Sequence, residues 1–219
     1  MAENEEERSE LYLAIVDGDF DVAAEATQAL IDEGLSPDEI LDKHVVPAMD
    51  EVGALFDEGE YFVPELLMAS KAAQEAMATL NPLLKQAGVE KQGLVVIGTV
   101  QGDMHDIGKN LVAATLEGGG FEVIDLGVNV APEEFVKVVK ERLGEKIFVC
   151  MSALLTTTTP KMKETIELLA KEGLTGSVRT LVGGAPVTRE FAEQIGADGY
   201  SDSANECVAL ARELAAAWE

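Results

Sequence analysis

The chain has 219 residues, 47% of them hydrophobic, which is enough for one large or two small globular domains. Its formal net charge of −25 repels nucleic acid and anionic lipid, no apolar run reaches the length of a membrane span, and the acidic N-terminus lacks the basic start of a secretory signal. With only two cysteines, Cys150 and Cys207, far apart in the sequence, these features predict a cytoplasmic protein with neither a nucleic-acid nor a membrane partner.

Residues 1–88 show only helical patterns. The first two helices are punctuated by Gly18 and Gly34, and glycine is the usual residue just after a helix end. A third helix is predicted to begin after a Ser36 cap, and a fourth follows Pro64. Four helices with short links predict a small antiparallel bundle as the N-terminal domain.

The pattern changes after a short polar connector at residues 88–93. LVVIGTV is a continuous apolar run, typical of a strand that is buried on both faces. Four further strand patterns follow, separated by helical ones, and such alternation indicates a parallel sheet. We therefore expect an α/β protein, in which residues 93–219 form a flavodoxin-like, Rossmann-like, doubly wound domain of five strands ordered 2-1-3-4-5.

Three loops of this predicted sheet contain small and polar residues. They are GDMHDIG, SALLTTTTP and GGAPVT, which follow the first, third and fourth strands. Ligands of such sheets bind outside the carboxyl ends of the strands, and the expected strand order makes these three loops neighbours. Hydroxylated residues and glycines leave room there for a long, bulky ligand.

His105 lies in the first of these loops, between Asp103 and Asp106. A neutral imidazole is a good transition-metal ligand, and a carboxylate commonly fixes its tautomer. No second histidine or cysteine cluster is near in the sequence, so a bound metal would bring most of its ligands with it, as in a macrocycle. The alternatives are a structural loop histidine, or a phosphate loop whose usual glycine motifs are absent. Lys109 is expected to be solvated, and His44 to be structural or at the surface.

Together the loops resemble the cobalamin-binding signature of base-off, histidine-on corrinoid proteins. D-x-H-x-x-G is present at Asp103–Gly108, S-x-L at Ser152–Leu154 and G-G at Gly183–Gly184. GDMHDIGKN is very similar to a segment of cobalamin-dependent methionine synthases, and residues 52–73 resemble the helical cap of methyl-carrying corrinoid proteins. The layout, over about residues 35–218, resembles the corrinoid subunit of three-component systems that demethylate methanol, methylamines, betaines or aryl methyl ethers.

This resemblance implies roles for individual residues. His105 would be the lower axial ligand of cobalt, and Asp103 would accept a hydrogen bond from its imidazole. A hydroxyl six residues after the S-x-L serine would complete a relay. Here that residue is Thr158, where the family usually has serine, and Thr157 and Thr159 are alternatives.

The resemblance also implies a cofactor pocket and a cap. Residues of the histidine loop that would contact the cofactor are Gly102, Met104, Asp106, Ile107 and Gly108. Residues that would line the pocket of its nucleotide tail are Ser152, Leu154, Thr156, Gly183 and Gly184. Phe56 and Val63 would cover the upper, methyl-bearing face, although their helical spacing alone is more typical of core residues. Asp106 has helix capping as its simplest alternative role.

The implied function is that of a methyl shuttle with a cobalamin (methylcobalamin) cofactor. Such a carrier is not expected to be catalytic without its partner enzymes. The implied partners are a substrate-specific corrinoid methyltransferase, a second methyltransferase that acts on tetrahydrofolate or coenzyme M, and a reductive activating enzyme. An adenosylcobalamin mutase subunit is disfavoured by the helical cap. A cobalamin-dependent regulator is disfavoured by the short chain, and a flavodoxin-like module without cobalt remains the simplest alternative.

Overall fold

The computed structural model describes residues 8–87 and 92–218. They form two compact units: one contains the helices before residue 88 together with Glu117–Gly120, and the other contains Gln92–Leu116 and the chain from Phe121 onwards. The connector expected at residues 88–93 falls mostly on residues 88–91, outside the described residues. The domain bounds of 1–88 and 93–219 therefore stay a proposal.

Before residue 88, the regular structure of the first unit is entirely helical. Their bounds are α1 Glu10–Asp17, α2 Phe20–Asp32, α3 Pro37–Ile40, a π-helical turn Leu41–Val45, α4 Val46–Asp57 and α5 Val63–Ala87. Helix α3, the π-helical turn and α4 follow one another without a break, so the unit has the four helical runs that the sequence predicts. Pro47 lies in the first turn of α4, and the Val46 N–H bonds to Leu41 O, five residues back.

The helix ends of this unit are capped by side chains and by a glycine. Ser9 accepts a hydrogen bond from Tyr12 N, and Asp19 accepts one from Val22 N. Gly18 ends α1 at φ 73, and a Cβ there would lie 2.7 Å from Met68 Cβ, so both conformation and space require glycine. His44 Nδ1 lies 2.9 Å from Ser9 Oγ, which is consistent with a structural role for this histidine.

The second unit is built around a five-stranded parallel sheet. Its strands are β1 Leu94–Thr99, β2 Glu122–Asp125, β3 Ile147–Ser152, β4 Val178–Gly183 and β5 Gly199–Tyr200; its helices are α6 Ile107–Gly118, α7 Pro132–Glu141, α8 Pro160–Lys171, α9 Arg189–Ile195 and α10 Ala204–Ala216. The strand order is β2-β1-β3-β4-β5 and every pair is parallel, so the expected flavodoxin-like topology is confirmed.

Strand β1 is buried on both faces, and the register of β1, β3 and β4 sets where the loops begin. All six residues of β1 are buried, and alternate residues point into two separate cores, as Val96 and Val95 do. In register, Thr99 pairs with Ser152, and Ser152 pairs with Gly183. The three loops that follow β1, β3 and β4 therefore start in one row at the carboxyl edge of the sheet.

Candidate functional site

Asp103 connects the loop after β1 to the loop after β3. Its side chain is completely buried. Oδ1 accepts a hydrogen bond from His105 N at 3.2 Å and lies 2.7 Å from His105 Nδ1. Oδ2 accepts from Leu154 N at 2.8 Å, from Leu155 N at 3.0 Å and from Thr158 Oγ1 at 2.8 Å. This carboxylate thus fixes the backbone of both loops and the ring of His105.

The charge state of Asp103 determines the tautomer of the histidine. Burial works to raise the pKa of Asp103, but the hydrogen bonds from His105, Leu154 N and Thr158 outweigh it and hold that pKa well below its usual range. Because the carboxylate is ionised, the proton of the shared hydrogen bond resides on Nδ1. With the proton on Nδ1, the Nε2 lone pair is the one that a metal would use, on a side chain that is 51% exposed.

Thr158 is the threonine whose hydroxyl reaches Asp103. Thr159 Oγ1 donates instead to Thr156 O at 3.1 Å, and Thr157 is exposed. Thr158 Oγ1 lies 2.8 Å from Asp103 Oδ2 and equally close to Leu155 O. A hydroxyl has one proton, and the ionised carboxylate is the stronger acceptor of the two. This geometry supports Thr158 as the hydroxyl of the proposed relay, a role that stays a prediction.

Large apolar side chains surround His105 and are exposed. Met104 and Ile107, which flank the histidine loop, are 67% and 78% exposed; Leu154 and Leu155, bound to Asp103 through their N–H groups, are 45% and 41% exposed. A Cβ at Gly108 would meet nothing within 4 Å. An apolar surface of this kind beside an oriented imidazole fits a bulky, largely apolar macrocycle, whose binding would cover it.

The side chains that could ligate a metal are consistent with a macrocycle-bound ion. Within residues 8–87 and 92–218, no three or more His, Cys, Asp or Glu side chains are grouped so that they could hold a metal ion. A metal bound by His105 would therefore not find a further pair of such side chains grouped with it in this part of the chain. A cobalt ion in a corrin ring needs no such pair, because the macrocycle supplies the equatorial nitrogens.

The glycine pair after β4 packs tightly against the chain itself. Gly184 has φ 118, and a Cβ there would lie 2.1 Å from Ala153 O. A Cβ at Gly183 would lie 3.2 Å from Ser201 O. Glycine is thus required at Gly184, whereas a side chain at Gly183 would only crowd Ser201. The expected contact of both glycines with a nucleotide tail stays a prediction, as do the contacts of Ser152 and Thr156.

The remaining predicted site residues lie in the histidine loop and on helices α4 and α5. Gly102 and Asp106 belong to the histidine loop, both are exposed, and Asp106 immediately precedes α6, which is compatible with capping. Phe56 is half-buried on α4, and Val63 begins α5 with 39% exposure. Their predicted contact with a cofactor is a proposal.

Lys109 was expected to be solvated, and this expectation is wrong. Its side chain is 1% exposed, and Nζ donates to Asn110 Oδ1 at 2.5 Å and to Asp125 Oδ2. The partner carboxylate lies at the end of β2, 16 residues away. The sequence pattern of α6 alone does not indicate this ion pair, because only the pairing of β2 with β1 brings Asp125 close to Lys109.

A family model described as a B12-binding domain matches residues 93–209, more than half of the chain. The chain belongs to the B12-binding domain family. A second model with the same description matches residues 7–81. The resemblance to cobalamin-binding corrinoid proteins and the cofactor class that it implied are therefore confirmed.

Curated relatives and solved structures agree with this assignment. A corrinoid protein from Desulfitobacterium hafniense is 41% identical over 94% of this chain and 95% of its own length. Dimethylamine corrinoid protein 1 from Methanosarcina acetivorans is 44% identical over 83% of this chain and 85% of its own. The methanol:cobalamin methyltransferase complex from Methanosarcina barkeri contains a chain that is 31% identical, with a TM-score of 0.79, coverage of 94% of this chain and 78% of that one.

One feature of the helices bears on membranes. Among the residues that the structure describes, no helix combines the length and apolar character needed to cross a bilayer.

Proposed function

We propose that the chain is the cobalamin-carrying methyl shuttle of a three-component methyltransferase system. The observation that carries this proposal is the exposed imidazole of His105, oriented by the buried, ionised carboxylate of Asp103 and surrounded by exposed apolar side chains. The family assignment and the corrinoid relatives support it.

In this proposal the chain's own residues hold and tune the cofactor. His105 Nε2 would ligate the cobalt of bound cobalamin in place of the cofactor's own base, which is the base-off, histidine-on mode. Asp103 keeps the proton on Nδ1, and Thr158 donates to the far oxygen of the same carboxylate, so both act on the basicity of the imidazole. The apolar side chains of Met104 and Ile107 exclude water at the rim. Bound cobalamin supplies the cobalt that carries the methyl group.

The partners belong to the proposal as well. The methyl donor enzyme is a substrate-specific corrinoid methyltransferase, and relatives that are named for dimethylamine and trimethylamine favour a methylated amine over methanol, betaines or aryl methyl ethers. The acceptor enzyme uses tetrahydrofolate or coenzyme M. A reductive activating enzyme would reduce cobalt that has become oxidised. We place the shuttle in the cytoplasm because Cys150 and Cys207 are both free and buried.

The test begins with the full-length protein, hydroxocobalamin and mild reduction to the cobalt(II) state. Protein labelled with ¹⁵N-histidine should then show a two-line axial nitrogen splitting in electron paramagnetic resonance, because ¹⁵N has spin one half. The cofactor's own ¹⁴N base would give three lines. His105→Ala should abolish the two-line pattern, and His44→Gln, which changes the other histidine, should retain it.

Methyl transfer is tested separately on the fully reduced holoprotein. Methyltransferases for methylated amines, methanol, betaine and aryl methyl ethers, each supplied with its substrate, should differ in the rate at which they methylate the carrier. Methylation by an amine enzyme at least ten times faster than by the others is expected. Failure to bind corrinoid would overturn the shuttle, and preferential methylation by another enzyme would overturn only the donor class.

A further inference from the structure

The loop after β2, Leu126–Ala131, binds the backbone of the histidine loop. Asn129 N donates to Asp103 O at 2.9 Å, and Asn129 Oδ1 accepts from Gly102 N at 2.8 Å. One residue thus binds the backbone at two consecutive positions, just before His105. Nothing in the local sequence GVNVAP indicated this contact, because it depends on how β2 pairs with β1.

The backbone of Asn129 is unusual in a way that fits this task. Its φ of 55 is the only left-handed value at a non-glycine residue among residues 8–87 and 92–218. Asparagine and aspartate tolerate this conformation better than other side chains, whereas glycine tolerates it but offers no acceptor. The position therefore needs both a left-handed backbone and a side-chain oxygen, a combination that few residues provide.

The loop that carries Asn129 is itself anchored at its other end. Asp125, the last residue of β2, pairs with the buried Lys109 of α6 and accepts a hydrogen bond from Gly127 N at 2.8 Å. Thr99 N donates to Gly127 O at 2.9 Å, and Thr99 Oγ1 donates to His105 O at 2.8 Å. The segment is thus held by β1 and α6, so its contacts through Asn129 restrain the backbone of the histidine loop.

We propose that Asn129 is a positioning residue for His105, which it orients by clamping the Gly102–Asp103 backbone. This inference rests on the proposed function, in which His105 Nε2 would ligate cobalt. Asn129 acts through the loop backbone and touches neither the imidazole nor the metal. Without the clamp, the loop keeps the Asp103 carboxylate contacts but samples more ring positions, so the ligating geometry is occupied less often.

The test compares three full-length variants with the unsubstituted protein. Asn129→Gly retains the left-handed backbone and removes the acceptor, while Asn129→Asp retains both. Val139→Ala, in the buried core of α7, lowers stability without removing a side-chain hydrogen bond of the loop and serves as the stability control. All are labelled with ¹⁵N-histidine and loaded with hydroxocobalamin reduced to cobalt(II).

Asn129→Gly should bind cobalamin about three- to tenfold more weakly and lose part of the two-line nitrogen splitting. Asn129→Asp should restore both to within about twofold, and Val139→Ala should keep the splitting although it melts at a lower temperature. Unchanged affinity and splitting in Asn129→Gly would overturn the proposal. So would an equal loss in Val139→Ala, since general destabilisation would then explain the result.

A measurement on the protein without cofactor separates this inference from the proposed function. The Gly102 amide, which donates to Asn129 Oδ1, should exchange with deuterated solvent at least about threefold faster in Asn129→Gly than in Asn129→Asp. An unchanged rate would contradict the clamp whether or not corrinoid binds. If the unsubstituted protein bound no corrinoid while the exchange rate responded as expected, the proposed function would fail, and the ligand-positioning role with it.

Discussion

At the scale of single residues, the buried carboxylate of Asp103 determines what His105 can do. Five donors converge on it, from His105 N and Nδ1, Leu154 N, Leu155 N and Thr158 Oγ1. The residues alone left Asp103 and Asp106 as candidate partners of His105, and the resemblance to corrinoid proteins selected Asp103, whose Oδ1 the structure places 2.7 Å from His105 Nδ1. The resemblance selected Thr158 from four consecutive threonines and left Thr157 and Thr159 as alternatives. The hydrogen bond from Thr158 Oγ1 to Asp103 Oδ2 supports that choice.

Asp103→Asn is expected to impair cobalt ligation while it preserves the fold. An amide can satisfy Leu154 N, Leu155 N and Thr158 only by placing its oxygen on their side. Its NH₂ group then faces His105 Nδ1 and donates to it, which moves the ring proton to Nε2 and blocks that lone pair. Corrinoid affinity should fall about 10–100-fold. Optical titration with hydroxocobalamin and the axial nitrogen splitting check this.

The pH dependence of unfolding supplies the control. Because the pKa of Asp103 is lowered in the folded protein, its ionised form stabilises the fold above the unfolded-state pKa of about 4, and that stabilisation is lost as the pH falls further. The free energy of unfolding should therefore decrease less steeply below pH 4 in Asp103→Asn than in the unsubstituted protein. Identical slopes would contradict an ionised, hydrogen-bonded carboxylate.

At the scale of helices and strands, apolar runs and capping residues were sufficient to predict most of the architecture. The five strands and their order were predicted from apolar strand patterns that alternate with helical patterns, and the helix limits were predicted from residues such as Ser36 and Gly18. Contacts between elements were less accessible. Lys109 was expected in solvent because its partner Asp125 belongs to another element. The loop with Asn129 was overlooked because its one glycine, Gly127, and its lack of charged residues form no recognisable motif.

The ion pair between α6 and β2 is expected to respond asymmetrically to substitution. The Lys109 side chain is 1% exposed, whereas that of Asp125 is 40% exposed. Asp125→Ala leaves a buried ammonium without its carboxylate, which should cost about 3 kcal/mol. Lys109→Met keeps the apolar stem and leaves a carboxylate that water can solvate, so about 1 kcal/mol is expected. Urea unfolding at pH 7 measures both values, and an equal or inverted order would refute the asymmetry.

At the scale of the whole molecule, negative charge is concentrated in one half of the sequence. Residues 1–91 contain 22 acidic and 5 basic residues, a formal charge of −17, whereas residues 92–219 contain 19 and 11, a charge of −8. The helical sequence therefore carries most of the self-repulsion, which weakens a compact state. Composition gave this feature directly, since a charge count needs no knowledge of the fold.

Salt should accordingly stabilise the protein, and the N-terminal helices most. Raising NaCl from about 10 mM to about 150 mM shortens the screening length from about 30 Å to about 8 Å, so repulsion between separated carboxylates weakens. Scanning calorimetry should show a transition that moves several degrees higher. Glu25→Gln, on the exposed face of α2, should mimic part of this shift at low salt only. Glu164→Gln removes a carboxylate that lies 2.6 Å from Lys161 Nζ, and it should produce no such gain. A transition that falls with added salt would mean that attractive ion pairs outweigh the repulsion, and that the excess of acidic residues does not strain the fold.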